Sequence, residues 1–93
     1  MGSNVKYKYP SSELDYGLDW SRWLQSNESI SSSDWEIPDG LTKLSEGVTS
    51  TKTSVWISGG VVDEQYELVN SIETDSTPSR KNIAKLYIVI KEE

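Results

Sequence analysis

Four tryptophans, Trp20, Trp23, Trp35 and Trp56, are the side chains of this sequence best equipped for recognition chemistry. An indole offers a wide apolar ring face that stacks on a sugar ring or packs into a core. Carboxylates are the other supply of chemistry. Asp15, Asp19, Asp34, Asp39, Asp63 and Glu64 carry oxygens suited to calcium, and paired carboxylates are the machinery of glycoside hydrolysis. The spacing supports neither. No segment has the Asp-x-Asp-x-Asp-Gly pattern of a calcium loop, and a chain of 93 residues leaves little room for a cleft flanked by two acids. Histidine and cysteine are absent, which removes the usual general base, the thiolate nucleophile and the commonest zinc ligands. Gly59-Gly60 precedes no Lys-Ser/Thr pair and so reads as a turn rather than a phosphate cradle. The expectation is a non-enzymatic protein with no catalytic residue, no cofactor-binding residue and no metal ligand.

Composition narrows the partners. The net charge is −6 and the isoelectric point is about 4.6, with few basic residues and only Arg80-Lys81 adjacent. A phosphate backbone or an anionic bilayer surface would be repelled, so neither nucleic acid nor membrane is expected as a partner. No apolar run reaches the length of a membrane span, and the first residues lack the apolar segment of a signal peptide. Lys6 stands where a myristoylation signal at Gly2 would need Ser or Thr. The length suits one domain.

The elements that must position these residues are strands. Leu14, Tyr16, Leu18 and Trp20 alternate with Asp15, Gly17 and Asp19, the period of a half-buried strand. Ser21 to Leu24 reads as a turn that folds Trp23 and Leu24 back onto the core. Ser33, Trp35 and Ile37 continue the pattern up to the turn signal Pro38-Asp39-Gly40. Leu41 to Glu46 is a weaker strand. Thr53 to Ser58 is rich in β-branched and aromatic residues and stops at Gly59-Gly60. Tyr66, Leu68, Asn70, Ile72 and Thr74 form a long alternation, and Asp75 to Arg80 is a loop. Ala84, Leu86, Ile88 and Ile90 alternate with a second face that is also partly apolar, which predicts a central strand. Six or seven short strands with frequent turn signals predict an all-β, antiparallel, immunoglobulin-like β-sandwich over residues 13–93, preceded by an N-terminal arm over residues 1–12.

Strand phase assigns the aromatics. Trp20 and Trp35 lie on apolar phases and are expected in the core. Trp56 is out of phase with Val55 and Ile57, so one of the two faces of that strand must be less buried; a place in the core is the favoured reading for Trp56, with partner contact as the alternative. Tyr7 and Tyr9 share one face of an extended segment and are suited to docking on a neighbour by strand addition. Tyr7, Tyr9 and Trp56 are therefore the candidate partner-contact residues.

The order of motifs resembles a family of small proteins encoded by tailed bacteriophages and prophages, often labelled phage fibre protein. The opening Tyr-x-x-Asp-Trp-x-x-Trp-Leu is here Tyr16, Asp19, Trp20, Trp23 and Leu24. Ile30, Ser32, Ser33, Trp35, Ile37, Pro38, Gly40 and Leu41 carry the second motif. Val55 to Gly60, the alternation from Tyr66 to Thr74, an arginine-bearing loop and the tail from Ile88 to Glu92 complete it. The match runs over residues 14–93 and departs at Asp75-Ser76-Thr77-Pro78-Ser79-Arg80, where the family often has Asp-Gly before its arginine. The resemblance implies an immunoglobulin-like structural or accessory protein of the virion, made in the bacterial cytoplasm. Its partners would be other virion proteins of capsid or tail, with self-association open, and its location head decoration, neck or tail fibre. In that setting the acceptor triplet Asn27-Glu28-Ser29 would stay unmodified. The alternative from the tryptophans is a carbohydrate-binding module aiding host adsorption.

Overall fold

A computed structural model describes residues 5–92; the first four residues of the expected arm, including Gly2, and Glu93 lie outside the described residues. Seven strands are present: β1 (Val5–Lys8), β2 (Leu14–Asp19), β3 (Ile30–Glu36), β4 (Leu41–Val48), β5 (Lys52–Gly59), β6 (Gln65–Thr74) and β7 (Lys81–Ile90). They form two sheets, one ordered β1-β7-β6-β3 and the other β2-β5-β4. The expected all-β sandwich is therefore the fold.

The period-2 pattern explains the layering. In β5, Thr53, Val55 and Ile57 point inward and are at most 1% exposed, while the intervening residues face out. Leu68, Asn70 and Ile72 of β6 and Leu86, Ile88 and Ile90 of β7 supply the opposing wall. The main core gathers these apolar residues with Tyr16, Trp35 and Leu41. A second cluster of Trp20, Ile30 and Ile72 lies toward one end, with Trp23, Leu24 and Ala84 packed on it. Each buried side chain of this size contributes roughly 1.5–3 kcal/mol of hydrophobic stabilisation.

Turn chemistry follows the sequence. Gly40 closes the β3–β4 turn at φ 103°, and a Cβ there would sit 2.7 Å from the Tyr66 ring. Only glycine meets both demands. Strand β4 carries a bulge between Lys43 and Ser45, which breaks its alternation.

One pairing departs from the antiparallel expectation. Within the stretch expected as an arm, Val5–Lys8 forms β1 and pairs in parallel with β7, Val5 opposite Tyr87 and Lys8 opposite Ile90. The reason is visible in β7. One edge of its backbone pairs with β6, and β1 satisfies the N–H and C=O groups along the other. Lys8 fastens this edge. Its side chain is buried, and Nζ donates to the carbonyls of Tyr9 at 2.7 Å and Gly59 at 2.6 Å.

Candidate functional site

The strands bring their ends together in two sets. The first end collects the close of β1, the start of β2, the β3–β4 turn, the β5–β6 loop and the close of β7. The second end collects residues 20–29, 49–51 and 75–80. The two ends differ in chemistry.

The first end is apolar and open. Of the nine exposed large apolar side chains among the described residues, five lie here: Tyr7, Tyr9, Leu14, Val61 and Val62. Tyr7 and Tyr9 are 60% and 52% exposed. With Leu14, Lys8 and Lys91 they line a small cleft. Lys91 Nζ stands 5.0 Å from the Tyr7 ring centroid, a cation–π contact. Tyr16 Oη donates to the Tyr7 carbonyl at 3.2 Å, so one acceptor of the β1 edge is already satisfied. Strand addition along β1 is correspondingly limited, since this edge is four residues long and partly capped. The side chains of Tyr7 and Tyr9 remain exposed beside this edge.

Trp56 is not part of that end. It lies on the outer face of the β2-β5-β4 sheet, 40% exposed, opposite Asp15 on β2 and Ser45 on β4. The three candidate contact residues thus fall on two separate surfaces.

The second end is locked rather than open, and its key residues escape a reading of strand periodicity. Arg80 lies over the Trp23 ring at 4.2 Å and reaches Glu28 through Nε at 2.9 Å and Nη2 at 2.5 Å. Arg80 also donates to the Trp23 carbonyl. The Glu28 side chain is only 2% exposed. The Arg80 guanidinium, with the Gln25 amide and the Ser76 and Thr74 hydroxyls, holds its carboxyl far below the usual carboxylate range, and burial opposes that only partly. Trp23 in turn meets Trp20 edge to face at 5.7 Å. The opening motif and the arginine loop are therefore two halves of one clasp. Asp19 caps the turn that follows β2, its carboxylate accepting from the Ser21 amide at 2.9 Å, which also lowers its pKa.

A buried polar layer crosses the sandwich beneath this clasp. Trp20 Nε1 donates to Thr53 Oγ1 and to Asn70 Oδ1, each at 3.2 Å. Thr53 Oγ1 donates to Asn70 Oδ1 at 2.7 Å, and Asn70 Nδ2 donates to Ser33 Oγ and the Asp34 carbonyl at 3.0 Å. Asn70 was the signal available in sequence: a lone amide on the buried phase of β6 requires partners.

A broad groove lies on the outer face of the larger sheet, among Ser33, Asp34, Ser71, Glu73, Asn82 and Ile83. It holds none of the three candidate contacts. Among the described residues no group of three or more His, Cys, Asp or Glu could hold a metal ion, and no helix is long and apolar enough to cross a membrane.

Comparison with known proteins places this geometry. The solved PKD domain from the KIAA 1837 protein superimposes with a TM-score of 0.57 at 18% identity, covering 98% of this chain and 81% of that one. That likeness speaks to the immunoglobulin-like β-sandwich alone. No curated protein matches. The family model described as podophage GP4 fiber-tail adaptor protein gp77 matches residues 8–82, from the close of β1 into β7. The resemblance to tailed-phage proteins, carried by the clasp residues Trp20, Trp23 and Arg80 and by the strand motifs between them, has this family as its basis: the chain belongs to the podophage fiber-tail adaptor proteins, a structural, tail-associated phage family.

Proposed function

We propose that this protein joins a fibre to the tail of a podophage virion by protein–protein contact, without catalysis, and that the end bearing Tyr7 and Tyr9 docks one of those partners. The observation that carries the reading is the gathering of Tyr7, Tyr9, Leu14, Val61 and Val62 at one end of an acidic, otherwise polar domain. Exposed apolar residues scattered singly need no explanation, whereas a contiguous group marks an interaction surface. Tyrosine suits this role because its ring is wide, rigid and tolerant of water until the partner arrives. A tail location, rather than head or neck, is the reading the family supports. Fibres recur around a tail, so several weak contacts would add through avidity.

Cross-linking mass spectrometry of purified virions tests the proposal. Lys6 and Lys91 flank the docking end, and lysine-reactive links from them to a fibre or tail protein are expected. Links to other virion proteins confined to Lys52 and Lys81, at the opposite end, would overturn the assigned surface. Absence of the chain from purified particles would overturn the role.

A further inference from the structure

The surroundings of Trp56 differ from those of Tyr7 and Tyr9, and they call for a different ligand. Trp56 stands on β5, the middle strand of its sheet, where cross-strand neighbours normally cover an aromatic ring. Here the flanking positions are small. Register puts Asp15 and Ser45 directly opposite it, and Gly17, Gly47, Ser54 and Ser58 at the adjoining outward positions. Leu44, in the β4 bulge beside Ser45, is the other large apolar residue on this part of the ladder. An indole that is 40% exposed thus has mostly glycine and serine at the positions around it.

The two polar groups directly opposite it are uncommitted, whereas the neighbouring Ser54 hydroxyl donates to the Gly47 carbonyl at 3.5 Å. Several carboxylates elsewhere are engaged: Glu28 with Arg80, Glu46 with Lys43, Glu67 with Lys85, and Asp75 with the Ser29 amide. Asp15 and the Ser45 hydroxyl make no hydrogen bond or ion pair among the described residues. A protein interface core wants contiguous apolar area, with charged groups kept to the rim. An aromatic side chain with a free carboxylate on one side and a free hydroxyl on the other fits a pyranose better. The sugar's axial C–H bonds, slightly positive, meet the negative ring face, and its equatorial hydroxyls donate to the carboxylate and exchange hydrogen bonds with the serine. The net charge of −6 disfavours an anionic glycan.

We infer that Trp56, with Asp15 and Ser45 on either side, forms a binding platform for an uncharged saccharide, distinct from the docking end. A single ring on an open face binds weakly, and repeated copies on a particle would raise the effective affinity.

The test uses the full chain labelled with ¹⁵N and a panel of methyl glycosides of glucose, galactose, mannose, rhamnose and N-acetylglucosamine, titrated while amide and indole N–H resonances are followed. The expected result is saturable shifts for at least one sugar, centred on the Trp56 indole and the amides near Asp15 and Ser45, with the Trp20 indole unmoved. Trp56→Ala should weaken that binding at least about tenfold, the factor that ~1.4 kcal/mol of lost contact carries. Asp15→Asn should weaken it less, and the Trp20 resonance reports that each variant is folded. No saturable shift with any glycoside would overturn the inference, as would shifts that survive Trp56→Ala. Fibre loss from Trp56→Ala virions without sugar binding would instead make this face a protein contact and also overturn it. The docking role of Tyr7 and Tyr9 stands or falls separately.

Discussion

Trp20 and Trp35 are both buried tryptophans, yet their ring nitrogens have different fates. Trp20 Nε1 serves two acceptors in the Thr53–Asn70 layer, while Trp35 Nε1 is buried with no partner among the described residues. Strand phase made both legible as core residues, because phase reports burial. It says nothing of hydrogen bonding, which depends on what the opposite sheet presents. Replacement with phenylalanine separates the two. Trp20→Phe loses packing and strips a donor from Asn70, a further cost of about 1–3 kcal/mol, whereas Trp35→Phe also relieves an unpaired N–H. Trp20→Phe should therefore lower the urea midpoint more than Trp35→Phe; equal shifts would contradict the polar layer. Glu28 and Arg80 were out of reach of periodicity altogether, being loop residues 52 apart that meet only once both loops are folded. Because the folded-state pKa of Glu28 is depressed, its contribution is fully present above its ordinary value of 4.5 and is lost as the pH falls below it. The stability gap between the native chain and Glu28→Gln should accordingly shrink between about pH 5 and pH 2. A gap that is constant or widens over that range would argue against the buried pair.

At the scale of elements, β7 and β1 illustrate what patterning reveals and what it omits. Apolar residues on both faces of Ala84 to Ile90 signalled a central strand, and β7 is flanked on both edges. The strand completing it was less visible, because Val5-Lys6-Tyr7-Lys8 is short, charged and far away in sequence. A lysine buried among backbone carbonyls is a further obstacle, since Lys8 reads as surface until Gly59 is brought near. Integration of β1 changes how the proposed docking end must be probed. Removing residues 1–8 should do more than delete a contact. It uncovers the β7 edge and should lower stability by more than about 1.5 kcal/mol, the worth of one fully buried aliphatic side chain. It should also promote edge-to-edge association, seen as higher oligomers in sedimentation velocity. A truncated chain that is monomeric and equally stable would mean that β1 is dispensable. Point substitutions of Tyr7 and Tyr9, which face outward, leave the ladder intact and are the cleaner probe.

The molecule as a whole is long, 46 × 27 × 17 Å, with strands of up to ten residues. At about 3.4 Å per residue, those strands account for most of the long dimension, so the two ends are well separated. One end presents the Tyr7–Tyr9 cleft, and the other is drawn tight by the Arg80–Glu28–Trp23 clasp. The motif that made the family recognisable is thus a structural lock, and the surface proposed to dock lies at the far end, outside the signature. This division also explains why the site was only half legible. The opposite phase of Trp56 and Val55 was legible in local pattern, but the exposure of Trp56 and its separation from Tyr7 and Tyr9 onto another surface follow from topology. The most direct test of the adaptor account is complementation of a phage lacking this gene with Tyr7→Ser/Tyr9→Ser protein, followed by electron microscopy of the purified particles. With the variant confirmed as folded, the account predicts tails that lack fibres or lack the adaptor itself. Particles carrying the normal complement of fibres and of the variant would contradict it.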